Sequence, residues 1–243
     1  MNENEIYDIY YRRHPYPFRF GSYLAILRSL TIANLVERLY QDSRLSNETY
    51  QRLLRTRQLI RTLIYYGSES VEAQRAIDTI NQAHANVVAT NEDYLYVLST
   101  FFLEPLRWNQ AYGKTPIDEQ DTLLVIKFWS DIGSRMHIQN IPTGLDQWRQ
   151  FQQDYENRFS EYSTAGNRLA MSSINELCRQ AIPFGLRTIA KQLLLGTIDK
   201  KVRDCLRLPG SFLPTRLMIK LVNRMQPNFE PKRGINRIGI NQQ

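Results

Sequence analysis

Cysteine is nearly absent: Cys178 and Cys205 are the only two in 243 residues. Two thiols so far apart cannot build a disulfide framework or a Cys-rich metal site, and such usage fits a reducing compartment. Glycine is also scarce, at 11, which argues against a β-rich or loop-rich chain. No stretch reaches the roughly 18 consecutive apolar residues that a membrane-spanning helix needs. The opening MNENEIYDIYYRR is polar and acidic, the reverse of a signal peptide, so a cytoplasmic location is expected. Ser/His/Asp sets, phosphate-cradling Gly loops and carboxylate–histidine metal spacings are missing too, which removes the commonest hydrolase, nucleotide-binding and metalloprotease readings.

What the chain does have is apolar and aromatic bulk. Hydrophobic residues make up 42% and the aromatics include 14 Tyr, enough for one large core. The net charge is +7. A basic balance suits nucleic acid, an anionic membrane surface or an anionic cofactor. The Arg residues are spread through helical segments rather than gathered in a block with Gly and aromatics, so nucleic-acid binding is not expected.

Helical periodicity dominates from residue 22 onward. It predicts helices over 22–41, 47–66, 69–90, 93–111, 117–136, 143–161, 164–180, 184–195 and 212–226. Gly67-Ser68 separates two of them, Gly113 and Pro116 close a third, and Pro142 and Pro183 punctuate the rest. No internal repeat and no alternating strand pattern occurs. The expected fold class is all-α, a single multi-helix globular domain over 22–226. An irregular lead-in, 1–21, precedes it, broken by Pro15, Pro17 and Gly21 and with aromatics expected to pack onto the domain, and a loose basic tail, 227–243, follows.

Two of these helices carry the residues of chemical interest. On 47–66, Arg52, Arg55, Thr56, Leu59, Ile60 and Leu63 share one face. Its apolar half is an ordinary core stripe, but its first turns add two guanidinium groups and a hydroxyl. Charges on a packing face need an acidic partner, water or an anionic ligand. On 69–90, the inward stripe is Ile77, Ile80, His84, Val87 and Val88, with His84 in its middle. Two readings stay open from the residues alone. The arginines can lie at the domain rim paired with acids, and His84 can be a neutral core histidine bonded to a carbonyl. Alternatively, His84 is the single axial imidazole of a haem, with the arginines near its propionates or oxygen species.

A third segment, NEDYLYVLSTFFLEPLRW at 91–108, offers an apolar face of Tyr94, Val97, Leu98, Phe101 and Pro105. Pro105 should end or kink its helix, with Glu104, Arg107 and Trp108 clustered there. Taken in order, RLLRT at 52–56, YYG at 65–67, INQAH at 80–84, this third segment and WSDIGSRMHIQNIP at 129–142 resemble the MpaB-type oxygenase family. That family is itself similar to the latex-clearing proteins, or rubber oxygenases. The resemblance spans about 45–160, with weaker similarity before and after.

The resemblance implies a helical domain enclosing a pocket for haem b. It places the axial ligand on His84 and the residues lying against the haem on Arg52, Arg55 and Thr56. It implies dioxygen as co-substrate and oxidation or cleavage of a C=C bond in an apolar, isoprenoid-like substrate. The rubber oxygenases carry Lys where this chain has Arg55. Arg does not deprotonate, so no role that needs a free amine is expected there. His137, in MHIQNIP, follows a helix end and reads as a capping or surface residue; His14 lies in the lead-in. The basic amphipathic helix at 212–225 reads as a packed terminal helix, with peripheral contact to a membrane surface as its functional alternative. The alternative to an enzyme is a non-catalytic helical carrier of an apolar ligand that has lost haem or turnover.

Overall fold

The computed structural model describes residues 4–41, 45–85 and 87–224. The expected tail at 227–243 lies outside them. Among the described residues the fold is all-α, and the single strand-like feature is an isolated antiparallel bridge between Ile32 and Ser160.

The lead-in is helical rather than irregular. α1 (Glu5–Asp8) passes into a π-helical turn, Ile9–Arg13, and then into α2 (Pro15–Ser29). Pro15 and Pro17, which read as breakers, fall in the first turn of α2. Backbone N–H groups there have no intrahelical acceptor, so proline costs nothing. Ile6, Ile9, Tyr10 and Phe18 are buried in the main core, with Tyr10 stacked on Phe18 at 3.8 Å and accepting a 2.7 Å bond from Trp129 Nε1. This stretch is therefore part of the domain.

The expected helix 22–41 is two. After α2 the chain breaks at Leu30–Ile32, where Thr31 Oγ1 donates to Arg28 O at 2.7 Å; α3 (Ala33–Gln41) follows. α4 (Leu45–Tyr66) and α5 (Val71–His84) form an antiparallel hairpin. α6 (Asn91–Tyr112), α7 (Glu119–Arg135), α8 (Leu145–Phe159), α9 (Thr164–Ala181), α10 (Arg187–Thr197), α11 (Lys200–Cys205) and α12 (Thr215–Arg224) complete the order. α11 has only six residues and too few turns to show a period.

α6 is the axis of the molecule. It is buried nearly all round, as a helix apolar on every side must be. Leu95, Leu98, Phe102 and Leu103 join one core with α4, α5 and α7. Trp108 joins a second with α2, α3, α9 and α10. Pro105 does not end α6, which runs through it to Tyr112. α2 crosses there: a Cβ on Gly21 would overlap the Cα and N of Pro105 and lie 2.8 Å from its Cδ. Gly21 supplies the missing side chain and Pro105 the missing N–H at a backbone-to-backbone crossing. Gly21→Ala is therefore expected to cost about 1–3 kcal/mol or more, because backbone rather than a flexible side chain must give way. Gly210, whose Cβ would meet nothing within 4 Å, is the control. Urea denaturation of Gly21→Ala and Gly210→Ala checks it; equal midpoints would remove the close-crossing argument.

Candidate active site

The α4–α5 hairpin turns at Gly67, whose φ of +78° only glycine adopts without strain. Ser70 opens α5 by accepting from Ala73 N at 3.0 Å. Asn4 Nδ2 donates to the carbonyls of Ile64 and Tyr65 at 2.8 and 3.1 Å and so closes α4. The hairpin sets the heights of its residues. His84 lies 13 residues past the start of α5, about 20 Å along it at 1.5 Å per residue. Arg55 and Arg52 lie 11 and 14 residues before the end of α4, about 17 and 21 Å from the turn. The antiparallel fold thus brings the level of His84 between those of Arg52 and Arg55.

The face on α4 grades outward. Leu63 is buried, Leu59 and Ile60 are half-buried against the core, and Arg55 and Thr56 are exposed. The stripe on α5 departs from the sequence expectation. Ile77 is buried and Ile80 half-buried, but α5 ends at His84, so His84 is its last residue rather than its middle. Val87 and Val88 lie beyond the helix, and Val88 is 77% exposed. The reason is the start of α6. Thr90 is extended, accepts from Asp93 N at 3.2 Å and donates its own N–H to Asp93 Oδ2 at 2.7 Å. A capping box at Thr90–Asp93 obliges α5 to stop upstream, and its signature was present in the sequence.

His84 is half-buried and well anchored. Its ring centre lies 4.9 Å from that of Tyr94, tilted by 35°, and Tyr94 Oη donates to the His84 carbonyl at 3.4 Å. One turn earlier, Asn81 Nδ2 donates to Arg135 O at 3.1 Å, tying α5 to the end of α7. Among the described residues no three His, Cys, Asp or Glu side chains converge as metal ligands.

The other histidines stand apart. His137 follows α7 with φ of 63° and is exposed. His14, at the start of α2, is buried with Nε2 3.3 Å from Asp121 Oδ2; Arg13 pairs with the other carboxylate oxygen. Burial holds the His14 imidazole below its ordinary value despite the aspartate beside it. This pair sits at the start of α7, whereas the α5 contact is with its last residue, Arg135.

The charged cluster near Pro105 proves to be a buried network. Arg28 of α2 lies 2.7 Å through Nε from Glu104 Oε1, in contact but not aligned as a hydrogen bond. Its Nη1 donates to Glu156 Oε1 at 2.9 Å, and Nη2 pairs with Asp199. Arg107 pairs with Glu104 and donates to Gln152, which donates to Ser99 Oγ at 3.0 Å. Lys201 Nζ reaches Glu156 Oε2 at 3.1 Å. Burial alone would raise the Glu156 carboxyl, but Arg28 and Lys201 hold it below its ordinary value. The network joins α2, α6, α8 and the start of α11; the sequence marked Glu104 and Arg107 but carried no sign of Arg28 as their partner.

A family model described as "ER-bound oxygenase mpaB/B'/Rubber oxygenase, catalytic domain" matches residues 12–225. The chain belongs to this oxygenase family. No curated protein matches it individually. Membership implies dioxygen and an organic substrate as partners of this oxygenase domain. The match takes in the hairpin, the Arg28 network and α12, so it covers far more of the chain than the blocks at about 45–160 that first suggested it. Among the described residues, no helix is long and apolar enough to cross a membrane.

Proposed function

We propose that this oxygenase domain binds haem b through His84 and uses dioxygen to oxidise or cleave a C=C bond of an apolar, isoprenoid-like substrate. What supports the reading is the α4–α5 hairpin: counted along the two helices, His84 on α5 falls at a height between those of Arg52 and Arg55 on α4, with Thr56 one residue further along. Bound haem supplies the redox chemistry of dioxygen that no side chain can supply. The chain's own residues do the rest. His84 offers the single imidazole, and Tyr94 fixes the backbone and ring from which it projects. Arg52 and Arg55 supply guanidinium groups suited to propionates or to developing negative charge, and Thr56 adds a hydroxyl that can donate or accept. A guanidinium is a poor proton acceptor, so the role of Arg55 is electrostatic rather than as a base.

Apolar walls support the substrate class. Leu59 and Ile60 on α4, Ile80 on α5 and Phe101 on α6 are all half-buried against the main core. Such surfaces suit a greasy substrate beside a cofactor that brings the chemistry. The test is the visible spectrum of the protein purified from haem-supplemented cells. A Soret band, with iron and haem b recovered in proportion to protein, is the expected result. A colourless protein that refuses added haem would overturn the reading, and bound lipid in that colourless protein would favour the non-catalytic carrier.

A further inference from the structure

The corner of the domain formed by α10 and α12 carries a surface that the proposed chemistry does not use. Phe184 and Leu186 lie in the 3-10 turn leading into α10. Phe184 is 85% exposed and Phe212, just before α12, 76%. Leu186, Ile189, Leu217 and Leu221 are exposed around them. They lie on or beside two neighbouring helices. Phe212 N donates to Gln192 Oε1 of α10 at 3.3 Å, and α12 begins against α10, with Thr215 packed on Gly196 where a Cβ would overlap it. The buried side of α12 is accounted for, since Ile219 packs on the second core. Single exposed hydrophobics are ordinary, whereas a cluster with two nearly bare phenylalanines calls for an occupant.

The charge around the cluster identifies that occupant. No Asp or Glu occurs from 177 to 198, nor from 205 to 224. The same two stretches carry Arg187 and Lys191 on α10, and Arg216 and Lys220 on α12. The hydrogen bonds of Arg187 and Lys191 go to the carbonyls of Ile182 and Arg179 and to the Asn175 amide, which leave their charge in place. Of the acids that flank these stretches, Glu176 is engaged by Arg179, Asp199 by Arg28 and Asp204 by Lys200. A second copy of the chain seated here by a two-fold axis would face cations with cations. Exposed aromatics at the starts of short amphipathic helices that carry Lys and Arg and no acids match the headgroup layer of an anionic bilayer instead.

We propose that the α10–α12 corner docks on an anionic lipid bilayer, with Phe184, Leu186, Phe212 and Leu217 entering the headgroup–acyl boundary and Arg187, Lys191, Arg216 and Lys220 facing lipid phosphates. The docking is independent of haem and of the substrate. It predicts membrane association without a spanning helix.

The experiment is flotation of the full chain with vesicles of phosphatidylcholine alone and of equimolar phosphatidylcholine and phosphatidylserine. Binding is expected to favour the anionic vesicles by about tenfold or more, and to fall as salt is raised. Each cation near the surface contributes roughly a factor of five, so Lys191→Glu with Lys220→Glu is expected to lower binding by more than about tenfold. Phe184→Ser with Phe212→Ser is expected to lower it as well. It should leave circular dichroism and thermal melting unchanged, because both side chains already face solvent. The three native tryptophans, Trp108, Trp129 and Trp148, are all buried; Phe212→Trp therefore adds an exposed reporter, whose emission should shift to the blue on anionic vesicles. Equal flotation with both vesicle types, undiminished binding by both double variants, or a reporter that stays red on bound vesicles would each overturn the proposal. So would a dimer that Phe184→Ser with Phe212→Ser dissolves in a protein that ignores vesicles, in favour of self-association.

Discussion

His84→Ala is expected to abolish the Soret band of the haem-loaded protein while leaving its helical circular dichroism intact. The two halves of that expectation come from the position of the residue. His84 is half-buried on the last turn of α5, with its ring beside that of Tyr94. Truncation there removes little packing, and the loss of a favourable imidazole at a helix C-terminus costs only about 0.3–1 kcal/mol. A fully buried core histidine would behave in the opposite way, with a large stability loss and no special effect on haem. His14 provides that contrast. It is buried beside Asp121, so His14→Ala is expected to destabilise by about 1–3 kcal/mol and to leave the band. His137→Ala, at an exposed turn, should change neither. His84→Gly with added free imidazole should recover the band, which a merely structural residue would not permit. A normal spectrum from His84→Ala would remove the ligand assignment.

Much of this was legible in the residues, for reasons that can be named. α4 and α6 were expected at 47–66 and 93–111 and occur as Leu45–Tyr66 and Asn91–Tyr112. Both are long, and clear turn chemistry bounds them at Gly67, Thr90 and Gly113. The α4–α5 hairpin followed from them. The start of the chain looks irregular in sequence because Pro15 and Pro17 resemble breakers out of context, and because α2 presents apolar residues to two cores at once. Leu24 and Leu27 face one core and Phe18 the other, so no single stripe stands out. Apolar residues continue to Val88, past the end of α5 at His84, although the Thr90–Asp93 capping box already requires a stop. Sequence pattern reports which face of an element is apolar; it does not report which distant element covers that face. Arg28 shows the limit. Its carboxylate partners lie 76, 128 and 171 residues further along the chain, and nothing local to α2 announces them.

That network sets the second large expected effect, a loss of about 3 kcal/mol on Arg28→Ala. Breaking a buried ion pair by deleting one partner costs about 3–5 kcal/mol, because the surviving charge stays buried. Here Arg28, Glu104 and Glu156 all have side chains no more than 5% exposed. The low end of the range applies, since Glu104 keeps Arg107 and Glu156 keeps Lys201 after the deletion. Against a total stability of about 5–15 kcal/mol this is a large fraction, and it corresponds to a fall of roughly 10 °C in melting temperature for a chain of this length. Arg28→Lys should recover less than half, because one ammonium cannot address Glu104, Glu156 and Asp199 along three directions as a guanidinium does. Arg28→Met combined with Glu104→Gln and Glu156→Gln should recover most of the loss, because it removes the buried charges together.

The effect also has a pH signature. The folded protein holds Glu156 below its ordinary value of 4.5, through Arg28 and Lys201 against the cost of burial. Its contribution is therefore fully present above that value and is lost as pH falls through the lower, folded one. Arg28→Ala relaxes this depression, so the gap between wild type and variant should be widest at neutral pH and should narrow under acid. Urea denaturation followed by circular dichroism across that range reads it directly. A gap that stays constant from neutral pH into acid would mean that Arg28 stabilises the junction of α2, α6 and α8 by packing its aliphatic stem rather than by its charge.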